Sequence, residues 1–426
     1  MRPASVHSSE VVITGVGPVA SIGVGREAFW NALCAGQARV QRRALVVDVG
    51  RTVELPLAAM PPDADVPGLA PHAAFLAQQE RPAYRDLAYT LLAVELALRD
   101  AGVEYDRDRN DIGVVQVFEA PGVERTVARL FELLGTSSPD RDGATPLYDA
   151  LATRFYNMQP FLYVHLMGKA LGLHGFSTSV HNACASGAFA IEVAAQQIRS
   201  GLADMAVVAG GEAFDTAVRL EWFRRLGLYA RDECMRPFDR QAAGFYVGEG
   251  AAAIVLESAA HAARRGATVY AAYLGGSFAQ QGWKQTLPDV RAARLRGVIR
   301  SALDKTGVSA NELDLVVPHG AATALSDSYE AVSLRQALEG EARQAVATAF
   351  KPYFGHLLAA CGVIEMAAAL LAMRHNVVPA TLHTRPEAAI LPVPLAAAAI
   401  HREVATVLKL STGFTGHDAA TVFRRV

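Results

Sequence analysis

The 426-residue chain holds 51% hydrophobic and 19% charged residues, and its 40 Lys and Arg against 42 Asp and Glu leave a net charge of −2. At roughly 150 residues per domain this is two or three domains or one large core, big enough to bury about three quarters of its unfolded surface without disulfide or metal staples. No Lys- or Arg-rich run supplies the basic footprint of a nucleic-acid binder, and Cys34, Cys184, Cys234 and Cys361 never form the C-x-x-C pair of a zinc site.

Residues 1–9 are polar and read as a frayed end. The apolar stretch Val11 to Val24 is interrupted by glycines and Pro18, so it reads as a buried strand and turn rather than a signal-peptide helix. No run reaches the ~18 uninterrupted apolar residues of a membrane span, and a soluble, cytoplasmic protein is expected. Further along, a helix near Arg26 to Cys34, a strand at Ala44 to Val47, a helix over Asp86 to Asp100 and a strand over Ile112 to Val117 follow one another. This alternation predicts an α/β architecture with largely buried strands. Glu119 to Thr178 has weaker periodicity and reads as helical excursions.

One internal echo stands out. Ile191-Glu-Val-Ala-Ala-Gln-Gln-Ile198 resembles Ile364-Glu-Met-Ala-Ala-Ala-Leu-Leu371, and each follows a β-like run (Phe176 to Val180; Gln344 to Phe350) and a small-residue turn. Chance likeness of alanine-rich helices and duplication of a strand–turn–helix unit both explain it. Duplication would put Cys184 and His356 at the starts of two equivalent helices facing a common pocket.

Cys184, in His181-Asn-Ala-Cys-Ala-Ser-Gly187, sits in the first turn of a predicted helix. Free N–H groups and the helix dipole there favour a thiolate and an oxyanion; the competing reading is a buried packing cysteine. Cys34, Cys234 and Cys361 read as packing. His319 ends the apolar run Leu313 to Pro318, and His356 follows Gly355 at a helix start, positions from which a ring can reach a cleft. Lys351 is either a charge partner for Glu330 or Asp327 or a solvated surface lysine. Gly15-Val-Gly17-Pro-Val-Ala20, with Asp48 ending a second strand, fits a dinucleotide fingerprint, although Pro18 and the late helix suit a phosphate cradle poorly. On that fingerprint alone the chain would be an NAD-dependent dehydrogenase.

Taken together, Val11 to Gly17, Asn182-Ala-Cys-Ala-Ser-Gly187, Arg236-Pro-Phe-Asp239, Gly248-Glu-Gly250, His319-Gly320, Lys351 with Gly355-His356, and Gly413-Phe414 resemble the β-ketoacyl-acyl-carrier-protein synthases of the thiolase superfamily over nearly the whole chain. The resemblance implies a five-layered α-β-α-β-α fold of two duplicated halves, here 1–260 with the nucleophile and 261–426 with the histidines. It implies Cys184 as acyl-accepting nucleophile and His319 and His356 as catalytic histidines, with Lys351 and Glu330 as a supporting charged pair. Phe414 matches the gating residue whose N–H joins that of Cys184 in an oxyanion hole; Thr323 and Thr286 match contacts to the carrier's phosphopantetheine arm. The implied reaction needs no cofactor or metal. Its partners are an acyl carrier protein and a second ketosynthase-like chain in a homodimer or heterodimer, with no nucleic acid or membrane.

Ala321 stands where the family usually has a threonine, and Gly413-Phe-Thr-Gly416 displaces a glycine. These departures fit a specialised polyketide or polyene pathway better than fatty-acid elongation. The function expected is decarboxylative condensation of an acyl group on Cys184 with a malonyl carrier. The alternatives are the chain-length-determining subunit of a ketosynthase heterodimer, which typically lacks the nucleophile, a thiolase, which would use a second cysteine near the C-terminus, and the dehydrogenase above.

Overall fold

The β-branched runs become two five-strand sets joined edge to edge in one mixed sheet of eleven strands, the eleventh being the short strand Gly23–Val24 paired with Val19 and Ala20. A computed structural model describes residues 10–81, 84–104, 110–136, 158–289, 291 and 293–426. The first set comprises β1 (Val11–Ala20), β2 (Gly113–Val117), β3 (Ser177–Ser179), β4 (Met205–Glu212) and β5 (Gly250–Ser258), in the order β1-β5-β4-β2-β3. The second comprises β6 (Ala271–Gln280), β7 (Leu315–Val317), β8 (Val346–Ala347), β9 (Thr406–Gly413) and β10 (His417–Arg424), in the order β6-β10-β9-β7-β8.

The pairing sense repeats from one set to the other. β1 is antiparallel to β5, β5 antiparallel to β4, and β4, β2 and β3 are mutually parallel neighbours. In the second set β6, β10, β9, β7 and β8 take those places in turn. Among the described residues the two sets are joined by the pairs Val11–Tyr273, Val12–Ala272 and Ile13–Ala271, an antiparallel contact of β1 with β6.

Helices stack on these sets in layers. α1 (Arg85–Asp100) and α2 (Pro160–Leu171) cover the outer face of the first set, and α4 (Ala293–Thr306) and α5 (Ala324–Leu338) that of the second. Between the sets lie α3 (Ser186–Arg199) and α6 (Cys361–His375), the two helices whose sequences echo each other. They cross where Gly187 meets Gly362; a Cβ on Gly187 would lie 2.7 Å from the Val363 nitrogen. The stretch Leu358–His375 is long and apolar enough to cross a membrane, and 89% of it is buried within the fold. Residues apolar on every side of a helix suit a position between two sheets.

The dinucleotide reading fails here. Gly15 and Gly17 lie inside β1, where Cβ atoms would fall 2.2 Å from the Ala97 carbonyl oxygen and 2.0 Å from that of Ala93. They let α1 lie against the strand and form no phosphate turn. Asp48 ends a strand of a separate two-stranded hairpin, Gln41–Asp48 with Arg51–Leu57. The β-like run Gln344 to Phe350 shrinks to Val346–Ala347. The expected excursions include the helices Val123–Thr136 and Pro160–Leu171; residues 137–157, like the expected frayed end 1–9, lie outside the described residues.

Candidate active site

Parallel strands end on one side of each set, and the loops that follow β3 and β7 meet between the two sets. After β3 the chain turns through Ala183, held in the left-handed region at φ 49°. The Ser186 hydroxyl donates to the Ala183 carbonyl at 2.6 Å and accepts the Asn182 N–H at 2.8 Å, which fixes this turn. Cys184 thereby stands just ahead of the first residue of α3 and faces a cavity of about 330 Å³. His319, His356 and Phe414 line the same cavity, as do Thr323 and Thr286. Among the described residues no other cysteine does: Cys34 ends the helix Arg26–Cys34, Cys234 lies in a loop, and Cys361 is buried at the start of α6.

His319 follows β7, and the Glu330 carboxylate of α5 accepts the N–H groups of His319 and Gly320. His356 is held by a backbone clasp. Its N–H donates to the Tyr246 carbonyl at 2.9 Å, and its carbonyl accepts the Gly248 N–H at 3.1 Å. A Cβ on Gly248 would fall 1.8 Å from the Phe354 carbonyl oxygen, and Gly355 has φ 76°. The glycines near 248 and 355 are therefore what lets these two backbones touch. The two imidazole centroids are 5.4 Å apart.

Both tautomers follow from their donors. Leu358 N–H donates to His356 Nδ1 at 3.0 Å. Lys351 Nζ, 3.3 Å from His319 Nδ1, has only protons to offer. Each ring therefore carries its proton on Nε2. Burial lowers both histidine pKa values well below 6.5, and the Lys351 charge adds to this, so both rings are neutral donors.

The charge network differs from expectation. Lys351 is fully buried, not a surface lysine, and its ion-pair partner is Glu365 of α6, at 2.6 Å, not Glu330 or Asp327. Glu330 serves the backbone of His319 and Gly320, and burial raises its pKa to about 7. Asp327 accepts the Phe238 N–H at 2.6 Å. Glu365 also pairs with buried Lys409 of β9 at 2.8 Å. Sequence reasoning missed both residues, yet each left a mark: a single carboxylate in the apolar helix α6 and a lysine inside a buried strand. Burial opposes the Lys351 charge, but Cys361 and Glu365 raise its pKa. Removing one charge from a buried network strands the others. Glu365→Gln is therefore expected to cost about 3 kcal/mol or more in urea unfolding; a cost below about 1 kcal/mol would show that the network is not strongly coupled.

Cys184 departs from the thiolate its position suggested. Burial raises its pKa well above the ordinary thiol value, with Glu119 and Cys361 adding and Lys351 opposing, so it rests as the thiol. Gly413 packs onto it: a Cβ there would lie 3.1 Å from the Cys184 nitrogen and 2.9 Å from the Asn182 carbonyl oxygen. The absence of a side chain lets the Gly413 backbone, one residue before Phe414, lie against the Cys184 amide. The Phe414 ring meets Trp222 edge to face, centroids 5.8 Å apart, and Thr415 (φ 61°) and Gly416 (φ 83°) complete the turn into β10.

Residues 8–262 match the β-ketoacyl synthase N-terminal domain, and residues 270–385 match the C-terminal domain. The chain belongs to the β-ketoacyl synthase family of acyl-transferring condensing enzymes. It is 30% identical to the oxytetracycline polyketide putative β-ketoacyl synthase 1 of Streptomyces rimosus, over 98% of each chain. It is also 30% identical to the 3-oxoacyl-[acyl-carrier-protein] synthase 2 of Rhizobium meliloti, over 97% of this chain and 98% of that one. Among solved structures, the ishigamide ketosynthase/chain length factor superposes with a TM-score of 0.81 at 26% identity, covering 98% of this chain and 100% of that one.

Proposed function

We propose that the chain condenses an acyl group held on Cys184 with a malonyl unit on an acyl carrier protein, in a type II polyketide, polyene or fatty-acid pathway. The observation that carries this is the placing of one thiol and two Nε2–H donors around a single cavity. Cys184 attacks the acyl thioester; its proton leaves with the departing phosphopantetheine thiol. The developing oxyanion is held by the N–H groups of Cys184 and Phe414. A malonyl thioester then places its carbonyl oxygen against His319 and His356 Nε2–H. Its carbon–carboxylate bond breaks, carbon dioxide leaves, and the electron pair passes into the enolate. The enolate carbon attacks the acyl-Cys184 carbonyl, and collapse of the adduct expels the Cys184 sulfur. The product is a β-ketoacyl carrier longer by two carbons. Covalent capture divides one hard condensation into two easier steps. Thr323 and Thr286 are the proposed contacts for the phosphopantetheine arm, and 1–260 and 261–426 are taken as the two halves.

A second ketosynthase-like subunit completes the proposal. Among the described residues β3 pairs on one side only, with β2, and this edge leads directly to Cys184. An unpaired edge is a template for another strand. The relative named a ketosynthase/chain length factor makes a heterodimer as natural a reading as a homodimer. The protein is expected to act in the cytoplasm. The test is the mass of the carrier-bound product after incubation with acyl and malonyl carriers, alone and with a co-expressed ketosynthase-like chain. A carrier product two carbons longer is expected; carriers recovered unextended in both mixtures would overturn the assignment.

A further inference from the structure

The cavity around Cys184 contains one group that the condensation leaves without a task. Glu119 follows β2, two residues beyond the Val117 that pairs with Gly210 of β4, and lines the same cavity as Cys184. Its N–H donates to Glu212 Oε1 at 3.2 Å, which fixes the backbone. Its Oε2 is enclosed and has no hydrogen-bond partner. The nearby cation, Arg219, is bound to Glu124 at 2.7 Å and to Glu212 at 3.1 Å. Burial raises the Glu119 pKa, with Arg219 opposing, and this is the direction that favours an O–H able to donate.

An enclosed polar oxygen without a partner is costly, and a saturated acyl chain laid against it would leave that cost in place. A chain oxygen would remove it. We propose that Glu119 is a specificity-determining residue that hydrogen-bonds a carbonyl oxygen on the acyl chain carried by Cys184, so that the site takes oxo-acyl groups in preference to saturated ones. The inference rests on the ketosynthase reading above.

The test is the rate at which Cys184 gains acyl mass from N-acetylcysteamine thioesters of hexanoic, 3-oxohexanoic and 5-oxohexanoic acids, which place the oxygen at two distances from the sulfur. Wild type is expected to load one of the oxo-acyl groups at least about tenfold faster than hexanoyl, the scale set by one buried hydrogen bond. Glu119→Leu and Glu119→Ala should bring that ratio to about one by loading hexanoyl faster and the oxo-acyl group more slowly. Glu119→Gln, which can still donate, should keep most of the ratio. An unchanged ratio in the Leu and Ala variants would overturn the inference while leaving the ketosynthase reading intact. So would a fall in melting temperature with the ratio unmoved, which would mark Glu119 as a structural partner of Arg219. Loading of no thioester by wild type would overturn both.

Discussion

Cys184→Ala is expected to keep its own mass when mixed with an acyl carrier that adds an acyl group to the wild-type chain. The loss should be complete, because no second thiol can substitute. Among the described residues Cys184 is the one cysteine lining the cavity, and Cys361, the nearest in its electrostatic effect, is fully buried with a pKa raised to about 12. The fold should survive the change, since the turn around residue 184 is fixed by Ser186 and by the approach of Gly413 rather than by the sulfur. Intact-mass measurement on both proteins decides the matter, and acyl mass on Cys34, Cys234 or Cys361 would overturn the assignment.

The two histidines should separate the half-reactions. Acyl transfer needs the sulfur and backbone donors, whereas decarboxylation needs side-chain donors to the malonyl thioester oxygen. His319→Ala and His356→Ala are each expected to slow release of labelled carbon dioxide by ~10²–10³, the usual cost of one lost donor, with much smaller effects on acyl loading. Glutamine, whose amide nitrogen reaches about as far as Nε2, should recover part of the loss. Because burial and Lys351 hold both pKa values well below 6.5, the rings are neutral across about pH 6–8. The donor role should therefore show no inflection near the ordinary histidine value. The sign for stability follows: below about pH 6.5 the unfolded chain binds protons that these two sites refuse, so their contribution falls as the solution is acidified. Wild-type decarboxylation by both alanine variants would make the histidines structural.

Much of this was legible in the chain. The Asp86 to Asp100 helix appears at Arg85–Asp100, and the strand Ile112 to Val117 at Gly113–Val117, because period and β-branching dominate where packing is regular. The echo between Ile191 to Ile198 and Ile364 to Leu371 located the two central helices. What was not legible came from tertiary contact. Gly15 and Gly17 looked like a phosphate turn until α1 was seen lying on them, because a glycine admits a helix and a bend equally well. Lys351 was paired with the wrong carboxylate because its partner, Glu365, lies in a helix that is otherwise apolar up to its last turn. A charge alone in an apolar helix or strand marks a buried ion pair without naming its partner when the two come from different elements.

The three residue pairs between β1 and β6 divide the molecule in a way that bears on its birth. Cys184, the proposed nucleophile, follows strands that all precede residue 261, and His319 and His356, the proposed donors, follow strands of the second set, all beyond it. A chain leaving the ribosome presents Cys184 before either histidine has been made. Gly413, whose backbone lies against the Cys184 amide, is also made more than two hundred residues later. Chemical competence is thus born late, when the last strands close over a cysteine translated more than two hundred residues earlier. A product cut short before residue 319 has Cys184 but lacks both of the histidines proposed to drive decarboxylation.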